Sequence, residues 1–256
     1  MSNEIAIFEN QEELTPEELR QLSEEASKDL ENSVFWLNVS IKGREFTVED
    51  IPGDKDTIYA VILGVTDIRY YYDKPFVEGE ENSPICFSVD GIKPVENDRI
   101  EKQHENCKEC PKAIFGSRIT ANGKESPACS RAKRIVFTSV KKSIGMTNLI
   151  YRINVPATSI KNWNRYIQLL SGVDRLPASA VITAISFDPT VKSYPLLKFE
   201  KKGILSKILR QQASDLKNSE VTQKALRNDF VATKSDVELN NSDVAHKEDT
   251  EDDIPF

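Results

Sequence analysis

The chain is poor in the residues and segments that several large classes of protein require. Only two of its 256 residues are histidines, and one of these, His246, lies in a polar C-terminal stretch. General acid–base catalysis most often uses histidine, so this scarcity argues against an enzyme of that kind. No apolar stretch approaches the roughly 20 residues that span a bilayer, and the first residues lack a basic and apolar signal pattern. We therefore expect no membrane insertion and a cytoplasmic location.

Motifs for other chemistries are also missing. The sequence contains no glycine-rich phosphate loop, no Ser/His/Asp arrangement and no clear pair of catalytic carboxylates. Cysteine is absent outside residues 86–129, and in a reducing cytoplasm we expect metal ligands or buried thiols before disulfides. The sequence thus predicts a binding protein and not an enzyme.

The net charge of −7 hides an uneven distribution. Residues 1–31 carry ten acidic and two basic side chains, and residues 240–256 carry six acidic and one basic. Residues 108–165 carry twelve lysines or arginines against two glutamates, a net charge of +10. A basic body with acidic ends is typical of a protein that binds a polyanion, and an uneven but merely solvated surface is the alternative.

Alternating apolar residues predict a fold that is mainly β, with flanking helices. Strands are predicted at residues 35–41, 57–66, 134–140, 149–155, 180–187 and 196–200. The second of these is apolar on both faces, as a central strand would be. A capping-box pattern at Thr15, Pro16 and Glu18 predicts one helix, and a second helix is predicted from Ser159 to Gly172. Short strands with few helices favour an antiparallel barrel or sandwich.

Changes in this pattern divide the chain into regions. An acidic N-terminal helix over residues 1–32 precedes a body at 33–203, into which the cysteine segment 86–129 is inserted. Apolar residues then become sparse, which predicts a helical or flexible linker at 204–240 and a disordered acidic tail at 241–256.

The four cysteines have the spacing of a metal site. Cys107 and Cys110 form a Cys-x-x-Cys pair, and Cys86 and Cys129 flank this pair within a 44-residue segment. Two thiolates of such a pair can turn onto one tetrahedral ion, and two further cysteines complete a shell of four sulfur ligands. We expect one structural Zn²⁺ per chain, with an iron–sulfur cluster or free thiols as alternatives. His104 is a substitute ligand by its chemistry, but a single histidine in a polar loop is more often solvated. Four thiolates leave no open position, so the ion would stabilise the segment and not catalyse a reaction.

The chain closes with the sequence EDTEDDIPF, residues 248–256. The last three residues are its only apolar ones, and five carboxylates precede them. Such an acidic stretch does not pack into a core, whereas a short apolar tip suits a pocket on another protein. The residues predicted to bind a partner are Asp252, Asp253, Ile254, Pro255 and Phe256.

Two segments resemble single-stranded DNA-binding proteins. Residues 107–117 (CKECPKAIFGS), with Gly123, Lys124 and Cys129, resemble a segment of phage-encoded members, and this likeness covers about residues 86–200. The tip DDIPF is similar to the C-terminal tip of the bacterial single-stranded DNA-binding proteins. The resemblance implies a phage-type protein in a bacterial host cell, an oligonucleotide-binding (OB) barrel that holds DNA, and a tip that recruits replication and repair enzymes. The chain departs from the bacterial family in its length, its cysteine cluster and its lack of a glycine- and glutamine-rich linker.

Binding of single strands requires cations for phosphates and aromatic faces for bases. The aromatic candidates are those that the strand pattern leaves on polar faces or in loops: Trp36, Tyr70, Tyr72 and Phe115. The cationic candidates come from the basic block: Arg118, Lys124, Arg131, Lys133, Arg134, Lys141, Lys142 and Arg152. We therefore expect a protein that coats and protects single-stranded DNA in replication, recombination and repair.

Two other functions are open from the sequence. Asp188, followed by Glu200, Lys201 and Lys202, resembles the Asp…Glu-x-Lys pattern of metal-dependent nucleases, some of which carry four-cysteine iron–sulfur clusters. The second alternative is a zinc-bearing adaptor that binds proteins through both acidic ends and binds no nucleic acid.

Overall fold

The computed structural model describes residues 36–42, 44–48, 56–74, 83–96, 100–120, 123–141 and 145–227, together with Thr15, Glu17, Glu18 and Gln21. The chain divides into two compact units, Met1–Phe35 and Trp36–Phe256. In the first unit, the Thr15 hydroxyl and N–H donate to the Glu18 carboxylate at 2.6 and 2.8 Å, and the Glu18 N–H donates to the Thr15 hydroxyl at 3.3 Å. These reciprocal bonds are the predicted capping box, and they lower the pKa of Glu18.

The second unit is mainly β, as the sequence predicts. Its strands are β1 (Leu37–Lys42), β2 (Glu45–Val48), β3 (Thr57–Tyr71), β4 (Cys86–Ser88), β5 (Arg118–Ile119), β6 (Glu125–Ser126), β7 (Cys129–Lys141), β8 (Gly145–Pro156), β9 (Val181–Phe187) and β10 (Leu197–Ile204). In the described part of the chain, eight of them form one sheet in the order β10-β9-β3-β7-β8-β1-β2, with β4 paired to β3. The remaining two, β5 and β6, form a separate ribbon.

The long strand β3 is the centre of this sheet because both of its faces are apolar. Ala60 and Ile62 enter a first hydrophobic core, while Val61 and Leu63 enter a second core on the opposite face. Alternation of side chains between two buried faces is the expected behaviour of a central strand. The prediction of a central strand over residues 57–66 is thus confirmed, and the strand continues to Tyr71.

A bulge at Gly64 changes which side of the sheet the rest of β3 faces. The pairing of β3 with β7 shifts register between Ile62 and Gly64. One inserted residue reverses the alternation, so Ile68 and Tyr70 lie on the opposite face from Ile62, in a third small cluster with Phe87. The side chains of Asp67, Arg69 and Tyr71 alternate with those of Ile68 and Tyr70, and they therefore lie on the same face as the first core.

The first core is covered by helix α1 (Ile160–Leu169), whose Trp163 and Tyr166 are buried. The Tyr166 hydroxyl lies 2.6 Å from the hydroxyl of Thr183 on β9, which satisfies both polar groups inside the core. The helix does not stop at Gly172 as predicted. It continues as a π-helical turn to Asp174, and Arg175 then takes the left-handed conformation with φ 55°.

The second core is covered by two helices, α2 (Lys207–Asn218) and α3 (Glu220–Arg227). The Ser206 hydroxyl caps α2 by accepting the N–H of Leu209 at 3.3 Å. Gly64 makes room for Leu226 of α3, because a Cβ at Gly64 would lie 2.6 Å from the Leu226 Cδ1. Residues 207–227 of the predicted helical or flexible linker are therefore helical, and they pack on the sheet. Within the described ranges, no helix has the length and apolar character to cross a membrane.

The sheet curls into a half-barrel whose two ends are linked by side chains. Arg44, in the turn between β1 and β2, donates to the carbonyls of Asp188 (2.8 Å) and Val191, which follow β9. Phe46 of β2 stacks on Phe187 of β9 with ring centroids 4.4 Å apart. The described strand pairs are antiparallel, as expected of the predicted antiparallel barrel or sandwich, except that β1 pairs in parallel with β8.

Candidate nucleic-acid interface and cysteine cavity

The four cysteines are brought together by strand pairing and by one turn. Tyr71, at the end of β3, pairs with Cys86 of β4 on one side and with Cys129 of β7 on the other. Neighbouring strands are about 4.8 Å apart, so the backbones of these two cysteines are separated by about 10 Å. A turn supplies Cys107 and Cys110, and all four residues are free thiols.

All four cysteines line one cavity, together with side chains that include Arg69, Tyr71, His104 and Lys112. The volume of this cavity is about 10 Å³, which is room for about one water molecule or one small ion. Among the residues that the structure describes, however, no group of three or more His, Cys, Asp or Glu side chains has the arrangement of a metal site. The cysteines share a space without forming a coordination shell.

Burial controls the protonation of three of these thiols. It raises the pKa of Cys86 and Cys107, and it raises the pKa of Cys129 to about 12. The negative charge that the neighbouring cysteines would carry raises these pKa values further, whereas Arg69 opposes the rise at Cys107 and Cys129. Four thiolates could therefore coexist in the cavity only with a cation to neutralise them.

The four cysteines are chemically suitable ligands for Zn²⁺, but they do not have the arrangement of a metal site in this structure. Four sulfur ligands with nearby cations match a structural zinc site, whose net charge is −2, and Arg69 and Lys112 supply cations at the cavity. Coordination would require the sulfurs of Cys86 and Cys129 to close toward each other across Tyr71. The predicted substitute ligand His104 uses its Nδ1 locally, 3.0 Å from the carbonyl oxygen of Asn106.

Basic side chains continue from the cavity along β3 and β7. Antiparallel pairing sets Asp67 opposite Lys133 and Arg69 opposite Arg131, on the same face as Tyr71. The Asp67 carboxylate binds the Lys133 Nζ at 3.0 Å and the Arg131 Nη2 at 3.4 Å. The side chain of Arg131 nevertheless stays 50% exposed, whereas that of Lys133 is only 13% exposed. Arg131 is thus the more accessible of the two predicted cations.

Lys112 adds a cation–aromatic pair to this face. Its Nζ lies 5.1 Å from the centroid of the Tyr71 ring, within the range of a cation–π interaction. Lys112 comes from a short 3₁₀ helix, Pro111–Ala113, that follows Cys110 directly. We refer to Arg69, Tyr71, Lys112, Arg131 and Lys133 together as the basic surface.

The predicted stacking residue Phe115 lies in a turn before the ribbon of β5 and β6. We name residues 111–126 the finger; residues 121 and 122 are outside the described part. Phe115 is 69% exposed. It occupies the corner of a turn in which the Ser117 N–H donates to the Ile114 carbonyl at 3.2 Å and Gly116 has φ +89°, as a type II turn requires. The predicted cations Arg118 and Lys124 lie on the two sides of the same finger.

Three predicted DNA contacts are buried, and we correct their assignment. Arg134 has no exposed surface, and its Nη1 donates to the carbonyl of Leu226 at the end of α3 at 3.2 Å. Arg152 is 3% exposed and donates to the Asn38 side chain at 2.9 Å. Tyr70 is 5% exposed in the third cluster. Side chains enclosed in this way stabilise the fold and cannot reach DNA in this conformation.

Trp36 and Tyr72 are half-buried. The Arg152 guanidinium lies 5.1 Å from the centroid of the Trp36 ring, which also contacts the second core. Tyr72 packs against the third cluster, and its ring meets that of Tyr70 edge-on at 5.9 Å. Both rings therefore already make contacts within the protein.

Of the remaining predicted residues, Lys141 is exposed at the end of β7. Lys142 and the tip residues 252–256 lie outside the described residues. Sequence reasoning missed three members of the basic surface, namely Arg69, Tyr71 and Lys112. These residues could have been found from the pairing of β3 with the two strands that begin at Cys86 and Cys129. That pairing identifies the side chains next to the cysteines only when the bulge at Gly64, which sets the alternation of β3, is known.

The acidic residues of the nuclease-like pattern are separated on the sheet. Glu200 pairs with Ala184, four residues before Asp188, which corresponds to about 13 Å along the strand. Asp188 accepts bonds from the N–H and hydroxyl of Thr190, and Glu200 binds Lys202 at 2.6 Å. This spacing lends the nuclease interpretation no support.

Comparison of the chain with models of protein families, with curated proteins and with solved structures finds no match.

Proposed function

We propose that this protein binds single-stranded DNA, coating and protecting it during replication, recombination and repair. The observation that carries the proposal is the position of Phe115, an aromatic ring 69% exposed on a finger that begins beside the basic surface. An open aromatic face next to cations is the combination that a flexible, unpaired strand requires.

The basic surface and Phe115 would bind different parts of the nucleotide. Arg131, Lys112 and Arg69 would neutralise phosphates as the strand passes along the basic surface. Phe115 would stack on a base, which every base permits because each has a π face. Binding of this kind has little sequence preference, as a coating protein needs.

The shape of the sheet supports the OB-like part of the proposal. It is strongly curled and its ends are linked without full closure, as in a partly open barrel. The eight strands exceed the five of a simple OB fold, and helices cover both faces of the sheet. We therefore propose an OB-like barrel with additional strands, in which DNA runs beside the cysteine segment.

A structural Zn²⁺ is part of the proposed function because it would hold the finger in place. The support is the common cavity of Cys86, Cys107, Cys110 and Cys129. The ion would draw the four thiolates together and thereby fix the position of Lys112, which follows two residues after Cys110.

The acidic tip, residues 252–256, is proposed to recruit replication or recombination proteins in the cytoplasm of a bacterial host cell. Asp252 and Asp253 would steer toward basic groups around a partner's pocket, and Phe256 with its α-carboxylate would enter the pocket.

Binding to oligo-dT should depend steeply on salt. The Lys112→Ala/Arg131→Ala double variant should flatten the log–log salt slope by up to about 0.7 for each lost phosphate contact. The Lys207→Ala variant, which removes an exposed lysine on α2, is the matched control and should keep the slope. Fluorescence anisotropy over a salt series measures the salt slope of each protein. Equal slopes for wild type, the double variant and the control would show that the basic surface is not part of the interface.

Phe115→Ala should weaken oligo-dT binding without changing that slope. Loss of one stacked base costs about 1–3 kcal/mol, which corresponds to about 5- to 150-fold in affinity. Phe115→Trp should restore most of the affinity, since the aromatic face is kept.

If wild-type protein failed to bind oligo-dT at low salt, the adaptor interpretation would replace this one. Mg²⁺-dependent cutting of DNA would favour the nuclease.

The Phe256→Ala variant should lose partner capture while keeping its affinity for oligo-dT. Deletion of residues 248–256 should also remove capture, and it should leave DNA affinity equal or higher, most visibly at low salt, where five carboxylates no longer compete with phosphates. A pull-down from host extract, with the Thr250→Ala variant as control, measures capture. Retention of every partner by Phe256→Ala would contradict the role of the tip.

A further inference from the structure

The finger presents more apolar surface than base stacking on Phe115 needs. Ile114 is 58% exposed, Phe115 69% and Ile119 72%, all within six residues. Large apolar side chains grouped in this way on a protein surface mark a place of interaction.

These three side chains lie on the turn at residues 114–117 and on β5 directly after it, which together we call the tip. Ile119 of β5 pairs directly with Glu125 of β6. The turn that carries Ile114 and Phe115 reaches the same glutamate, because a Cβ at Gly116 would lie 3.6 Å from the Glu125 Oε2. Glu125 therefore lies near the turn at Gly116 and directly opposite Ile119 in the ribbon.

The tip is held by a dense set of hydrogen bonds and is not a loose loop. The Ser117 Oγ lies 2.7 Å from the Ile114 carbonyl and 3.0 Å from the Lys112 carbonyl, and it accepts the Ala128 N–H at 2.9 Å. Arg118 donates to the Ser126 hydroxyl at 3.1 Å across the ribbon. Such a tip can press on a partner without losing its own shape.

The charge of the finger indicates what the tip meets. Residues 111–126 carry Lys112, Arg118 and Lys124 against the single acidic Glu125, a net charge of +2. The finger also starts at the basic surface through Lys112. Apolar side chains flanked by cations suit a stack of bases between phosphate backbones better than they suit an apolar protein groove.

We propose that the finger is a wedge that opens double-stranded DNA at its junction with a single strand. This inference rests on the proposed function and adds an activity to it. Ile114 and Ile119 enter beside the terminal base pair and unstack it, as inserted apolar side chains do in proteins that kink DNA. Arg118 and Lys124 hold the two backbones as they separate. The freed strand then passes to Phe115 and the basic surface, which prevents re-pairing.

The test is the opening of a fluorophore–quencher DNA hairpin with a single-stranded dT overhang, using the full chain at concentrations that saturate oligo-dT. The Ile114→Ser/Ile119→Ser double variant should open the hairpin about tenfold more slowly than wild type, while its oligo-dT affinity changes by less than about twofold. The Ile114→Leu/Ile119→Leu variant keeps apolar bulk and should open it at nearly the wild-type rate. Val173→Ser removes a side chain that is 73% exposed after α1, away from the finger in sequence, and serves as the control.

The outcomes separate the wedge from DNA binding itself. Unchanged opening by the serine variant, with normal oligo-dT affinity, would overturn the wedge and leave the proposed function standing. Absence of oligo-dT binding by wild-type protein would overturn both. If the serine variant instead lost self-association or capture of a protein in sedimentation measurements and kept its opening rate, the apolar tip would be a protein interface. Equal thermal melting of all variants establishes that none of these effects comes from unfolding.

Discussion

The Cys107→Ser variant should lose its metal and the order of its cysteine segment. Wild-type protein should contain one Zn²⁺ per chain, and the variant should contain none. Among the described residues between 103 and 126, only Cys107 and Cys110 are buried, so almost no hydrophobic contact would remain to hold the finger. Structural zinc supplies about 10–16 kcal/mol in zinc-finger peptides. Loss of only a few kcal/mol of this free energy should lower the melting temperature by roughly 10 °C, since about 2–4 °C correspond to each kcal/mol at this size.

Elemental analysis, thermal melting and limited proteolysis of the 86–129 segment measure this prediction. Lys108→Ala is the matched control, because Lys108 lies exposed inside the Cys-x-x-Cys pair and is not a candidate ligand. Wild-type protein without metal, or a Cys107→Ser variant that melts like its parent, would refute the zinc site. A coloured protein with iron and sulfide would identify a cluster in its place.

The Arg134→Ala variant should unfold far more easily than wild type. The guanidinium is fully buried, donates to the last turn of α3 and lies 5.8 Å from the centroid of the Phe87 ring. A cation at a helix C-terminus is favourable, and its removal leaves the Leu226 carbonyl without this donor and opens a cavity. Losses of about 3–5 kcal/mol are typical of such changes.

For the Arg131→Ala variant, on the same strand, we expect almost unchanged stability and weaker DNA binding. Its half-exposed side chain makes one long contact with Asp67, so the free energy of unfolding should change by less than about 0.5 kcal/mol while oligo-dT binding weakens. Chemical denaturation and anisotropy measure the two quantities. If Arg134→Ala kept its stability and lost DNA affinity instead, Arg134 would be a DNA contact, as the sequence alone suggested.

The difference between these two arginines shows where sequence reasoning succeeds. The strands with long apolar runs are predicted well, because burial on both faces leaves a pattern that no loop imitates. The grouping of the four cysteines around one cavity also follows from their spacing. Arg131 and Arg134 have the same charge and neighbourhood in the sequence, however, and only the pairing of β7 with β3 tells which one faces outward.

Other features depend on contacts between distant residues and leave weak local signals. Helices α2 and α3 bury small residues, such as Ala213, Thr222 and Ala225, that no hydrophobic pattern would select. The two helices pack on the sheet because its surface is complementary to them. At Gly64, for example, the missing side chain leaves space that Leu226 occupies. Tyr71 was likewise passed over for Tyr70, because the bulge at Gly64 reverses the alternation and a bulge cannot be placed from composition alone.

The parallel pairing of β1 with β8 constrains the order in which the chain can assemble. Asn38 and Arg152, which bond across this pair, are 114 residues apart, and Arg44 reaches Asp188 over 144 residues. At the about 5–20 residues per second of protein synthesis, the first two strands wait roughly 6 to 30 s for these neighbours to emerge. Contacts of such long range also form slowly. The hairpin of β1 and β2 therefore spends its first seconds as an exposed edge, until β8 leaves the ribosome and covers it.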